Sequence, residues 1–119
     1  MTHGKQVLDE LRPRTAALRA LIPDVYEGYS HTHKAALAAG ALDVKTKELI
    51  ALGIAVTSQC DGCIASHARG VARAGASKQE VAEAIGVAIM MNGGPGTVYG
   101  PRAFAAFTEY AEQSAAGGR

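Results

Sequence analysis

Residues 44–75 read VKTKELIALGIAVTSQCDGCIASHARGVARAG, which predicts two helices joined by a short turn. Within this stretch Leu49–Val56 is apolar or glycine at every position, so a helix there presents apolar residues around its whole circumference. The 119-residue chain has four Tyr, two Phe and no Trp, and thus few large side chains to cover such a helix. We therefore expect this helix to be central in the fold or shared with another subunit.

The rest of the chain also favours helices, because the β-branched and aromatic runs that alternate in a strand are missing. Residue types typical of helix ends recur along it: Pro13 and Pro23 for first turns, Asp43 and Ser77 for N-caps, Gly40 and Gly75 for C-terminal caps. The predicted helices are Pro13–Ile22, Pro23–Ala39, Val44–Thr57, Asp61–Ala74, Lys78–Met91 and Gly96–Gln113, after a short turn at Lys5–Leu11. The sequence thus predicts an all-α fold of about six helices, with residues 1–119 forming a single domain.

The charge balance argues against several classes of partner. Twelve Lys and Arg face eleven Asp and Glu, giving a net charge of +1 and no general attraction to nucleic acid or anionic lipid. No apolar run approaches the roughly 18 residues that span a bilayer, and the N-terminal residues do not resemble a signal peptide. We expect a cytoplasmic protein that binds neither nucleic acid nor membranes.

The two cysteines form a CxxC pair, Cys60-Asp61-Gly62-Cys63, at a predicted helix start. Three residues apart, the two sulfurs can meet to form a disulfide, and the helix N-terminus stabilises a thiolate there. His67 lies four residues beyond Cys63, on the same helix face, where it can exchange a proton with the sulfur. Glu48, in the first turn of the apolar helix, can orient that histidine if the two meet in the fold.

Other interpretations of these residues remain open. The cysteines could form half of a zinc site completed by His31 and His33, although those histidines point to different sides of a helix and precede the cysteines. We assign His31, His33 and Tyr29 to surface or interface packing, with one of them able to line the mouth of a pocket. Considered alone, His67 is typical of a histidine packed in the core or on the surface. Glu48 alone is typical of a solvent-exposed charge at the start of a helix.

The spacing Glu48, eleven residues, Cys60, two residues, Cys63, three residues, His67 resembles the alkylhydroperoxidase D motif of the carboxymuconolactone decarboxylase superfamily. The segment Lys45–Leu52 is similar to the family's entry to its central helix, and the resemblance extends over Leu37–Asn92, about half of the chain. It implies a single-domain, all-helical fold. It also implies assembly as a homotrimer or homohexamer.

The resemblance further implies a thiol-dependent peroxidase without a cofactor. In that interpretation Cys63 is the thiolate that attacks the peroxide, Cys60 resolves it as a disulfide, and Glu48 and His67 form a proton relay. The reductant would be a dithiol such as dihydrolipoamide or a thiol protein. Gly62 departs from the family pattern, since the best-known peroxidases carry a bulky residue before the second cysteine, and predicts weaker activity.

Two other functions stay open at this point. The first is a redox sensor or assembly scaffold whose CxxC pair responds to oxidants without turnover. The second and more distant one is lactone decarboxylation, which superfamily members generally carry out without a CxxC pair. Turnover of peroxide with a dithiol separates the peroxidase from the sensor.

Overall fold

The computed structural model describes residues 3–117, with side chains as far as residue 115, and these residues form six helices. In chain order they are α1 (Lys5–Leu21), α2 (Pro23–Leu37), α3 (Val44–Thr57), α4 (Asp61–Arg73), α5 (Lys78–Asn92) and α6 (Gly94–Gly117). No strand occurs within this range. The all-α prediction is confirmed, and α3 has the predicted bounds.

The caps expected from the sequence are formed at three helix ends. Asp43 accepts a hydrogen bond of 2.7 Å from the backbone N–H of Thr46 at the start of α3, and bonds from Thr46 hold the pKa of its carboxyl below the usual 3.8. Ser77 and Glu80 form a reciprocal capping box at the start of α5. Gly75, beyond the end of α4, adopts the left-handed conformation with φ of 82°.

Two of the predicted helix ends are wrong. Pro13 does not begin a helix but lies inside α1, which continues through it to Leu21. Asp9 forms ion pairs with Lys5 and Arg12 on the turn just before Pro13, and these pairs stabilise α1 where the proline removes a backbone donor. Gly40 does not cap α2, because the helix ends at Leu37 and Ala38 is already extended.

The hydrophobic core lies between the last four helices. α3 and α4 pack against each other, and both contact α6, which also packs along α5. The largest fully buried side chains are Phe107, Leu52, Ile64, Val56, Val71 and Val81. Gly100 permits the close approach of α5 and α6, since a Cβ there would lie 2.8 Å from Cγ2 of Ile85.

α1 and α2 lie outside this core. α1 packs against α4, whereas α2 packs mainly against α1 and α3, and neither helix has a buried residue. Lys47 donates from Nζ to the carbonyl of Ala38 at 2.6 Å, which joins the end of α2 to the start of α3. α2 therefore lies outside the core, against the first turns of α3.

Only one side of α3 is covered by the rest of the chain. Leu52 and Val56 are fully buried, but the side chains of Ile50 and Ile54 are 48% and 58% exposed. With α5 the exposed side forms an apolar groove of about 490 Å³. The all-round burial of α3 thus does not occur within one chain, and burial against another subunit stays a prediction. None of the helices in residues 3–117 is both long and apolar enough to cross a membrane.

Candidate active site

The turn between α3 and α4 sets the position of the CxxC pair. The N–H of Gln59 donates to the carbonyl of Val56 at 3.1 Å, and the N–H of Cys60 donates to that of Ala55 at 3.2 Å. This pair of bonds is the Schellman arrangement, which needs a left-handed residue after the helix, and Gln59 supplies it with φ of 55°. The chain therefore reverses within three residues and delivers Cys60 to the N-cap of α4.

The two cysteines are linked by a disulfide, with their Cα atoms 5.2 Å apart. Sγ of Cys60 accepts a hydrogen bond from the backbone N–H of Cys63 at 3.2 Å, so one of the free N–H groups in the first turn of α4 is directed at sulfur. Cys63 is exposed and Cys60 is half-buried. Of the two disulfide-bonded residues, Cys63 is therefore the more accessible to solvent.

Glu48 and His67 meet between α3 and α4. Nδ1 of His67 lies 2.7 Å from Oε1 of Glu48, and the two side chains are only 17% and 12% exposed. A carboxylate in this position can accept a hydrogen bond from the Nδ1–H tautomer of His67, in which Nε2 is the basic nitrogen of the ring. His67 lies one turn beyond Cys63 on α4, so the pair can serve that sulfur.

α2 adds a second histidine, which the sequence analysis assigned to surface or interface packing or to the mouth of a pocket. The ring of His33 stacks on that of His67 with centroids 5.8 Å apart and planes 16° from parallel. Tyr29, one turn earlier, lies 6.1 Å from His33 and continues the row of rings. Tyr29 and His33 are four residues apart and so share a face of α2, and the fold brings that face to His67. His31 is exposed.

Asp61, between the two cysteines, is bound from α6. A guanidinium nitrogen of Arg102 lies 3.3 Å from each carboxylate oxygen of Asp61, and the guanidinium also lies 4.6 Å from the ring centre of Tyr99. An anion beside the cysteines opposes thiolate formation, so this cation offsets it. A separation of 41 residues left no sequence signal for the pair.

The zinc interpretation requires four ligands. Among residues 3–117 no group of three or more His, Cys, Asp or Glu side chains is placed so that it could hold a metal ion. His33 makes its contact with the ring of His67 instead.

A comparison with protein-family models matches residues 23–109 to the carboxymuconolactone decarboxylase family. The chain belongs to this family. Its curated relatives include an uncharacterized protein of Cupriavidus necator, 35% identical over 89% of this chain and 94% of that protein. Another is uncharacterized protein 4 in the cox locus of Paracoccus denitrificans, 38% identical over 80% of this chain and 83% of that protein.

Two solved structures of the family share the fold. A carboxymuconolactone decarboxylase family protein from Legionella pneumophila superposes with a TM-score of 0.83 at 39% identity, covering 87% of this chain and 92% of that one. One from Thermotoga maritima, for which a part in the antioxidative response has been suggested, gives a TM-score of 0.73 at 30% identity, covering 87% and 93%.

The Gly62 position of this carboxymuconolactone decarboxylase family protein is covered by α1. A Cβ at Gly62 would lie 3.5 Å from Cδ2 of Leu11, an ordinary contact distance. An alanine there fits, whereas a bulkier side chain would have to displace Leu11. Leu11 thus limits the size of the side chain that position 62 can carry.

Proposed function

We propose that this protein is a thiol-dependent peroxidase that reduces hydroperoxides through Cys63 and Cys60. The proposal depends on one observation: a disulfide at the N-terminus of α4 lies one turn from a histidine that is hydrogen-bonded to a partly buried carboxylate. A thiolate needs a base to form near neutral pH, because a free cysteine has a pKa of about 8.5. The His67–Glu48 pair supplies that base.

In the first half of the cycle, His67 takes the thiol proton of Cys63. The thiolate sulfur then attacks the terminal peroxide oxygen, so that an S–O bond forms, the O–O bond breaks and the leaving alkoxide takes the proton back as an alcohol. The product on Cys63 is a sulfenic acid. Glu48 stabilises the imidazolium that forms between the two proton transfers.

In the second half, the Cys60 sulfur attacks the sulfenic sulfur of Cys63. The S–S bond forms, the S–O bond breaks and the hydroxide leaves as water after protonation. A dithiol, such as dihydrolipoamide or a thiol protein, then returns two electrons and two protons to the pair. The suggested antioxidative role of the Thermotoga maritima relative agrees with this chemistry.

Steady-state consumption of hydrogen peroxide and cumene hydroperoxide, with dihydrolipoamide, dithiothreitol or thioredoxin as reductant, tests the proposal. We expect catalytic turnover with at least one dithiol and none in a Cys60→Ser/Cys63→Ser control. If peroxide oxidises the pair once and no reductant supports turnover, the protein is a redox sensor and not a peroxidase.

We also propose that the chain works as a homotrimer or homohexamer. The groove between α3 and α5 is almost wholly apolar, and the side chains along it are strongly exposed: Ile54 58%, Val87 60% and Met91 73%. A second copy of this chain is the occupant we propose, since contact with it would cover the outer side of α3.

A further inference from the structure

Gly70 lies on the face of α4 that carries the site, seven residues after Cys63 and three after His67. A Cβ built on its backbone would lie 2.6 Å from Oε1 of Glu48, and nearer still to Cδ and Oε2. No real Cβ contact is that short. The Glu48 carboxylate therefore occupies the space that any other residue at position 70 would fill.

We propose that Gly70 is a positioning residue: its missing side chain holds open the place where Glu48 reaches His67. The inference deepens the proposed peroxidase function. It rests on that function only for the part that the Glu48–His67 pair plays in proton transfer. α4 cannot easily retreat, because Ala68 and Val71 on either side of Gly70 are fully buried in the core. A methyl group at position 70 must therefore displace the flexible Glu48 side chain and break its 2.7 Å bond to His67.

Helix propensity supports this assignment. Alanine is the better residue in a helix interior, so a glycine within α4 weakens the helix unless its small size is needed. Gly86 in α5 provides the comparison, since a Cβ there would meet nothing within 4 Å. Within the described residues of one chain Gly86 thus has no steric role, whereas Gly70 has a specific one directed at Glu48.

The test compares Gly70→Ala with the matched control Gly86→Ala. We expect Gly70→Ala to slow the oxidation of Cys63 by hydrogen peroxide by roughly a hundred- to ten-thousandfold, the contribution typical of a general base. Gly86→Ala should keep the wild-type rate and raise the melting temperature. A Gly70→Ala variant with the wild-type rate and pH profile would overturn the proposal.

A Glu48→Ala background separates positioning from a general structural effect. Without the carboxylate, Gly70→Ala should cause no further loss of rate and should raise the melting temperature as Gly86→Ala does. If Gly70→Ala alone fails to fold, recovery of folding in the double variant supports the proposal. Failure of the double variant as well, or an undiminished loss of rate in it, contradicts the proposal.

A readout independent of peroxide keeps this inference apart from the proposed function. ¹⁵N NMR of the His67 ring reports which nitrogen carries the proton. In the wild type we expect Nδ1 to carry it, and in Gly70→Ala a mixture of tautomers, with Gly86→Ala unchanged. If the NMR change occurs in a protein that consumes no peroxide, the peroxidase proposal fails and the role of Gly70 stands. If all three proteins give the same spectrum, Gly70 has no positioning role.

Discussion

At the residue scale, the proposed proton relay depends on the hydrogen bond between Glu48 and His67. Glu48→Gln and His67→Gln keep the approximate shape of each side chain while removing its ability to orient or accept a proton. We expect each variant to reduce peroxide turnover by roughly ten- to ten-thousandfold with the helical structure intact. Stopped-flow assays and circular dichroism measure the two effects. Wild-type rates and an unchanged pH profile in both variants would rule out the relay.

His33 has a smaller role, and substitution of the nearby His31 provides the control for it. The His33 ring stacks on that of His67, and ring pairs of this kind contribute about 0.5–1.5 kcal/mol of interaction free energy. Loss of that free energy from the transition state corresponds to a rate lower by roughly two- to tenfold. We expect His33→Ala to slow Cys63 oxidation by that factor and His33→Phe to restore it. The exposed His31 is the control, and equal rates for His31→Ala and His33→Ala would exclude a contribution from stacking.

Residue spacing predicted much of the candidate site. Cys60, Cys63 and His67 lie on one helix, so their placement follows from helix geometry alone. Helix geometry does not place Glu48 beside them. Its contact with His67 was implied by the resemblance to the alkylhydroperoxidase D motif and is formed by the packing of α3 on α4. The stacking of His33 and the binding of Asp61 by Arg102 depend on contacts between helices distant in sequence. No local pattern encodes such contacts.

At the element scale, local chemistry determined most helix ends. Asp43 and the Ser77–Glu80 pair cap their helices because side-chain oxygens there satisfy free backbone N–H groups. Pro13 was misplaced because a proline is favoured at a helix start but tolerated within an exposed helix that has support on either side. Gly40 was misplaced because α2 ends earlier, where the Lys47 side chain binds the carbonyl of Ala38.

The turn before the cysteines contains a strained residue that the sequence did not reveal. Gln59 is the one non-glycine residue in the described part of the chain with positive φ, at 55°. Gln59→Gly should stabilise the protein by about 0.5–1 kcal/mol, since relief of the left-handed strain exceeds the added entropy of the unfolded chain. Ser58→Gly, at an ordinary φ of −80°, should destabilise it instead. Urea denaturation measures both, and a loss of stability in Gln59→Gly would contradict the strain argument.

At the scale of the whole molecule, the proposed assembly would cover the exposed side of α3. At about 25 cal/mol per Å², covering a few hundred Å² per subunit favours assembly by several kcal/mol before association costs are deducted. Light scattering at micromolar concentration should give three or six times the chain mass of 12.3 kDa. Ile54→Asp, which places a charge in the groove, should lower that mass. A wild-type mass of 12.3 kDa would disprove the assembly.

The central claim is that Cys63 attacks the peroxide and Cys60 then forms the disulfide, and one measurement tests it most directly. Intact-mass spectrometry follows reduced Cys60→Ser and Cys63→Ser after one equivalent of hydrogen peroxide, with dimedone present to trap sulfenic acid. Attack needs only one thiolate, so Cys60→Ser should form the dimedone adduct on Cys63, while Cys63→Ser should remain reduced. An adduct on Cys60 in Cys63→Ser, together with an unreactive Cys60→Ser, would contradict the assigned roles.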